Sequence, residues 1–144
     1  MYLKPQVPSE YYIKGYDDKA RWVTYWHQID EVLKSGCKEV LEIGIGNGTV
    51  CNYLKRMGLE VTTVDIDSAL NPDYVVSVTE LTTVFNINSF DCILCAEVLE
   101  HIHFEMFEKA LDELYAASRD YVIISLPYAG IGASVSLRWP INQH

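Results

Sequence analysis

In Val40-Leu41-Glu42-Ile43-Gly44-Ile45-Gly46-Asn47-Gly48 an apolar run stops at three glycines spaced two apart, and a helical pattern follows at once. This reads as a buried strand feeding a tight turn that opens a helix. Glycine suits such a turn where φ becomes positive or where a ligand must lie against bare backbone. The first N–H groups of the following helix have no partner within it, so a polar or anionic ligand group can dock there. The dinucleotide fingerprint G-x-G-x-x-G is not met, because Thr49 stands where its third glycine belongs. Glu42 at the strand end also opposes a pyrophosphate, since like charges repel, and suits a ligand that carries an amino group.

Outward from this turn, strands and helices alternate. Upstream, Asp17 or Asp18 can cap a helix running to about Ser35, with Gly36 just past its end. Trp22, Val23, Tyr25, Trp26, Ile29, Val32 and Leu33 form its expected apolar face. Residues 1–16, with two prolines and four tyrosines, show no clean periodicity and read as an extended arm. Downstream, a helix from about Gly48 to Met57 leads to a strand, Glu60 to Asp65, then a short third strand at Tyr74–Val78. A fourth strand begins at Phe90. A helix from about Phe104 to Ser118 is expected to bury Phe104, Phe107, Leu111, Leu114 and Tyr115, and a fifth strand ends at Pro127. Residues 133–138 offer one more extended piece. The alternation implies an α/β doubly wound, mostly parallel sheet of order 3-2-1-4-5, with its ligand over the C-terminal ends of strands 1 and 4.

Asp65 closes the second strand about 20 positions after the first glycine, the interval at which a strand-end carboxylate meets a ribose in such folds. One carboxylate can accept hydrogen bonds from two adjacent hydroxyls; Asp67 is the second choice. Cys92-x-x-Cys95 lies on a strand, where side chains three apart point to opposite faces, so the two sulfurs cannot share a metal or a disulfide.

The glycine stretch resembles motif I of the class I (Rossmann-like) S-adenosylmethionine-dependent methyltransferases, [VL]-L-E-x-G-x-G-x-G. Phe90-Asp91-Cys92-Ile93-Leu94-Cys95-Ala96-Glu97-Val98-Leu99-Glu100-His101 resembles motif IV in its small-molecule form. The resemblance covers about residues 37–128 and implies S-adenosyl-L-methionine as cofactor and S-adenosyl-L-homocysteine as product. It implies that Gly44, Ile45 and Gly46 carry the methionine portion and that Glu42 holds its amino group, aided by a carbonyl near Cys95 or Ala96. Asp65 would take the ribose and Ile66 pack on adenine. The family's acidic adenine reader aligns with Ser77, beside Val78, so a backbone N–H is the expected contact there. Glu97 counts with the cofactor-binding residues, and it and His101 line the expected reaction side, His101 as a structural hydrogen-bonder or a general base. In such enzymes an N-terminal arm and helix often cover the cofactor, which makes Tyr11, Tyr16 and Arg21 weaker site candidates and divides the chain into a covering part, 1–36, and a core, 37–144. Glu97, Glu100, His101 and His103 carry metal-ligating groups, but no metal is expected, because the family's metal sites use Asp and Asn at other strand ends.

A chain of 144 residues with 49% apolar and 22% charged residues is one globular domain. Its net charge of −9 argues against nucleic acid, whose phosphates need a basic surface. The N/D-P-P-[YF] tetrapeptide of the family's nucleic-acid enzymes is also absent at the fourth strand end. No apolar run is long enough for a membrane helix, the start is not a signal peptide, and four core-type cysteines suit a reducing cytoplasm. The family's strands 6 and 7 are expected to be lacking, which would leave strand 5 as an edge and favour a homodimer through it or the C-terminal segment. The implied function is methyl transfer to a small-molecule acceptor. Its rivals are a non-catalytic cofactor-binding partner subunit and an NAD-dependent dehydrogenase, against which Thr49 and Glu42 both speak.

Overall fold

A computed structural model of the chain describes residues 4–127 and the backbone of Ser134–Pro140. Helix α1 (Lys19–Ser35) starts where the Asp18 side chain accepts from the Arg21 N–H and stops at Gly36 in the left-handed region. It leads into β1 (Glu39–Ile43), α2 (Thr49–Arg56), β2 (Glu60–Asp65) and a two-residue β3 (Tyr74–Val75). Then follow β4 (Phe90–Ala96), α3 (Phe107–Ala117), β5 (Ser118–Pro127) and β6 (Ser134–Pro140). The sheet order is β3-β2-β1-β4-β5-β6, the first five strands parallel.

Strand 5 is therefore not an edge. β6 runs antiparallel along it from Tyr121↔Pro140 to Pro127↔Ser134, so at least one strand beyond the expected five is present. β3 is shorter than expected, because after Val76 donates to the Asp65 carbonyl the Ser77 side chain caps a 3₁₀ turn, Val78–Thr83, and pairing ends.

Strand alternation splits the core into two layers. Val40, Cys92, Leu94 and Ile123 face α1 and α2, where Tyr25, Val32, Val50 and Leu54 meet them. Leu41, Ile43, Ile93 and Cys95 face the other way, toward Ala110, Leu114 and Ala117 of α3 and Leu81 of the 3₁₀ turn. Cys92 and Cys95 thus lie on opposite faces, as their spacing requires. Burying each such Leu, Ile or Val stabilises the fold by about 1.5–3 kcal/mol relative to exposure. At the N-terminal ends of the strands, Asp91 accepts from the Lys38 and Glu39 N–H groups and from Arg119, which also reaches Glu39. Among the described residues no helix is long and apolar enough to cross a membrane.

Two helical faces depart from expectation. Trp22 and Trp26 are 55% and 59% exposed, since α1 meets the sheet through the narrower stripe Tyr25, Gln28 and Val32. Phe104 and Tyr115 are 88% and 61% exposed, because a 3₁₀ turn at Phe104–Met106 precedes α3 and shifts its apolar phase to Ala110, Leu114 and Ala117.

Candidate functional site

The cleft lies where the topology reverses, over the C-terminal ends of β1 and β4. β1 ends in Gly44, whose φ is +82° and whose amide still donates to Val64 of β2 at 2.8 Å. A Cβ there would stand 2.5 Å from Cγ2 of Val98, so the loop after β4 rests directly on this glycine. The turn is held open by Asp65. One of its carboxylate oxygens accepts from the Ile45 N–H at 3.1 Å and the other from the Asp67 N–H at 2.9 Å. Burial raises the Asp65 pKa above its ordinary value, against the opposing pull of these N–H groups.

Glu42 is the unusual group. It is 4% exposed, lines the cleft, and its Oε2 has no hydrogen-bond partner. Burial pushes its pKa up to about 8, despite the attraction of Lys55 and with a further rise from Asp65. A buried carboxylate without a donor is costly for a fold to keep. It stands just before the bare glycine backbone, where a donor entering the cleft could reach it.

The opposite wall is the end of β4. Glu97 adopts φ +54°, rare for a residue with a side chain, and its Oε2 takes a 2.6 Å bond from Nη1 of Arg21 on α1. The guanidinium lies 4.3 Å from the centre of the Tyr16 ring. His101 is tied to the arm twice: Gln6 donates to its carbonyl at 2.6 Å, and its Nδ1 meets Gln6 Oε1 at 3.2 Å. The third wall is Ile66, Val76, Ser77 and Val78. The Ser77 hydroxyl is occupied locally, accepting from the Thr79 N–H and sharing a 2.8 Å bond with its hydroxyl.

The structure brings Glu42, Gly44, Ile45, Gly46, Asp65, Ile66, Ser77, Val78, Ala96, Glu97 and His101 to one cleft, together with Tyr16 and Arg21. Cys95 is not among them. Alternation along β4 turns its side chain into the α3 layer, where it is fully buried, while Ala96 faces the cleft; the contact expected at Cys95 is through its backbone carbonyl, which side-chain direction does not decide. Tyr11 is 58% exposed and also lies outside. Its neighbour Tyr12 is the residue the sequence reading missed. Its ring would lie 3.8 Å from a Cβ on Gly46, and burial, then Asp65, raises its phenol pKa. Tyr25 and the buried Gln28 of α1 also line the cleft. An arm without periodicity carries no sequence signal that separates Tyr12 from Tyr11.

The sequence profile of the methyltransferase domain family matches residues 16–140. A ubiquinone biosynthesis O-methyltransferase of Saccharophagus degradans is 29% identical over 87 residues, which cover 51% of this chain and 37% of that protein. A Xanthomonas oryzae protein of the same description is 30% identical over 76 residues and is covered for 32%. The chain thus spans about a third of the length of these curated relatives. The N-methyltransferase NodS of Bradyrhizobium japonicum, solved with S-adenosyl-L-homocysteine, superposes with a TM-score of 0.67 at 18% identity, covering 86% of this chain and 68% of that one. Magnesium protoporphyrin IX methyltransferase of Synechocystis, solved with S-adenosylmethionine, gives 0.65 at 17% identity, covering 89% and 67%. At these identities the two structures speak for the fold.

Proposed function

The chain belongs to the methyltransferase domain family, and we propose that it binds S-adenosyl-L-methionine in this cleft and passes its methyl group to a small-molecule acceptor, leaving S-adenosyl-L-homocysteine. The observation that carries the reading is Glu42, a buried carboxylate with an unpartnered oxygen beside the glycine turn. The residues fit the cofactor. Gly44 to Gly46 would carry the methionine portion on bare backbone, and Glu42 would hold its ammonium. Asp65 would accept from the ribose hydroxyls, Ile66 would pack on adenine, and the backbone at Ser77 and Val78 would meet its edge. When bound, the cofactor supplies a methyl group on a positively charged sulfur, so no side chain is needed to activate it. The protein's part is to orient the two reactants and exclude water. Tyr12, Tyr16 and Arg21 would serve that exclusion from above. His101, tied to Gln6, would hold the arm over the cleft; as a general base it would use Nε2, because Nδ1 faces the Gln6 amide oxygen.

Protonation tests the role of Glu42. With its pKa pushed up to about 8, the group is mostly protonated at pH 7, and an incoming ammonium favours the ionised form. Binding of S-adenosyl-L-homocysteine near pH 7 is therefore expected to release about one proton. Calorimetry in two buffers of different ionisation enthalpy measures this directly. 5′-Methylthioadenosine, which lacks the amino acid, should release none, and Glu42→Gln should abolish the release. Equal release with both ligands would place the titrating group elsewhere.

The four cysteines are free and buried, which supports a reducing, cytoplasmic location. A homodimer, expected from the sequence at strand 5, would have to run through the outer edge of β6 or the C-terminal segment. Light scattering at high concentration should show twice the 16.4 kDa chain mass; a monomer throughout would end that proposal.

A further inference from the structure

Glu97 is built into an unfavourable backbone geometry at the reaction end of β4, and the surroundings keep it there. Its amide donates to the Ser125 carbonyl at 2.8 Å, which fixes the turn. Its Oε2 is held by Arg21, which is itself seated over the Tyr16 ring. Among the described residues Oε1 has no donor, and the residue lines the cleft. Left-handed geometry in a residue with a Cβ persists only when its surroundings over-determine it, and such positions cluster at functional sites. The pinned oxygen fixes the free one in direction, as preorganised recognition requires.

On the methyltransferase reading, we propose that Glu97 selects the acceptor rather than holding the cofactor, and that it takes a hydrogen bond from an N–H or O–H of a neutral or cationic acceptor group. The charges lining the cleft point the same way. Asp65, Asp67 and Glu97 outnumber Arg21 and the exposed Lys4, and Arg21 is already engaged by Glu97. The whole chain carries −9. A carboxylate acceptor would meet repulsion with, among the described residues, no uncommitted buried cation beside Glu97, whereas an amine or hydroxyl finds an acceptor already aimed. Glu42 lies across the glycine turn on β1 and is set apart from this role by its own unpartnered oxygen.

The test uses three probes of one size, 2-phenylethylamine, 2-phenylethanol and phenylacetate, titrated into the whole chain saturated with S-adenosyl-L-homocysteine. The amine and the alcohol should bind at least about tenfold more tightly than the acid, the size expected for one hydrogen bond to a charged group. Glu97→Gln should shrink that preference to within about threefold with its affinity for S-adenosyl-L-homocysteine unchanged, and Glu97→Asp should keep part of it. Equal or tighter binding of phenylacetate by the unmodified chain overturns the proposal, as does failure of both amine and alcohol to bind. Loss of S-adenosyl-L-homocysteine affinity in Glu97→Gln would make the residue a cofactor or structural one and overturns it equally. If the variant does not fold, the ranking in the unmodified chain decides alone. Absence of S-adenosyl-L-homocysteine binding to the unmodified chain removes the cofactor reading itself, a result distinct from every probe outcome.

Discussion

Asp65→Ala should weaken S-adenosyl-L-homocysteine binding by about 100-fold or more. The carboxylate is expected to accept from two ribose hydroxyls, and hydrogen bonds to a charged group contribute about 1.5–3 kcal/mol each. Two of them convert to a factor of roughly 10² to 10⁴. The same carboxylate also holds the Ile45 and Asp67 N–H groups, so the variant loses the shape of the glycine turn together with its ligand contact. A comparison separates Asp65 from Glu42. Asp65→Ala should weaken 5′-methylthioadenosine as severely as S-adenosyl-L-homocysteine, because both carry the ribose. Glu42→Gln should weaken only the ligand that carries the amino acid. Titration calorimetry on both variants, with circular dichroism to show that the fold persists, reads this directly. An Asp65→Ala affinity within tenfold of the parent would remove Asp65 from the ribose site.

The largest effect on stability is expected at Gly44. An alanine there must adopt φ near +82° and must place its Cβ 2.5 Å from Cγ2 of Val98. The backbone strain costs about 1–2 kcal/mol and the overpacking about 1–3 kcal/mol more. Gly58 supplies the control. Its φ is +90°, but nothing lies within 4 Å of a Cβ built on it, so Gly58→Ala should lose only the backbone part. In urea unfolding Gly44→Ala should therefore fall below Gly58→Ala by the overpacking energy. Adding Val98→Ala to Gly44→Ala should recover that difference, seen as a coupling of about 1 kcal/mol or more in a double-mutant cycle. Strictly additive single effects would show that the Val98 contact relaxes without cost.

Much of this fold is legible in local chemistry. Asp18 and Gly36 bracket α1 because a carboxylate cap and a left-handed terminus are properties of single residues. The glycine turn is legible for the same reason, since the backbone itself demands positive φ there. What escapes is whatever depends on phase or on partners distant in sequence. The apolar residues of α1, from Trp22 to Leu33, spread over about half its circumference at about 100° per residue, so periodicity does not choose between Tyr25 and Trp26. The expected burial of Phe104 fails because three residues per turn precede α3. The Ser77 cap was within reach, since Ser77-Val78-Thr79-Glu80 carries the S-x-x-E spacing of a helix start. Tyr12 and Gln6 were not, because their contacts are set by where the arm lands.

That landing has a consequence for synthesis. The arm's Gln6 bonds to His101 and Arg21 of α1 to Glu97, separations of 95 and 76 residues. A ribosome adding about 5–20 residues each second delivers the arm first and its anchors roughly 5–20 s later. During that interval the Tyr12 end of the arm can already meet the glycine turn, but Gln6 has no anchor. Pro5 and Pro8 suit that wait, because each removes a backbone N–H and makes the segment a poor strand partner for neighbouring chains. Gln6 is thus made well before the residue that fixes it.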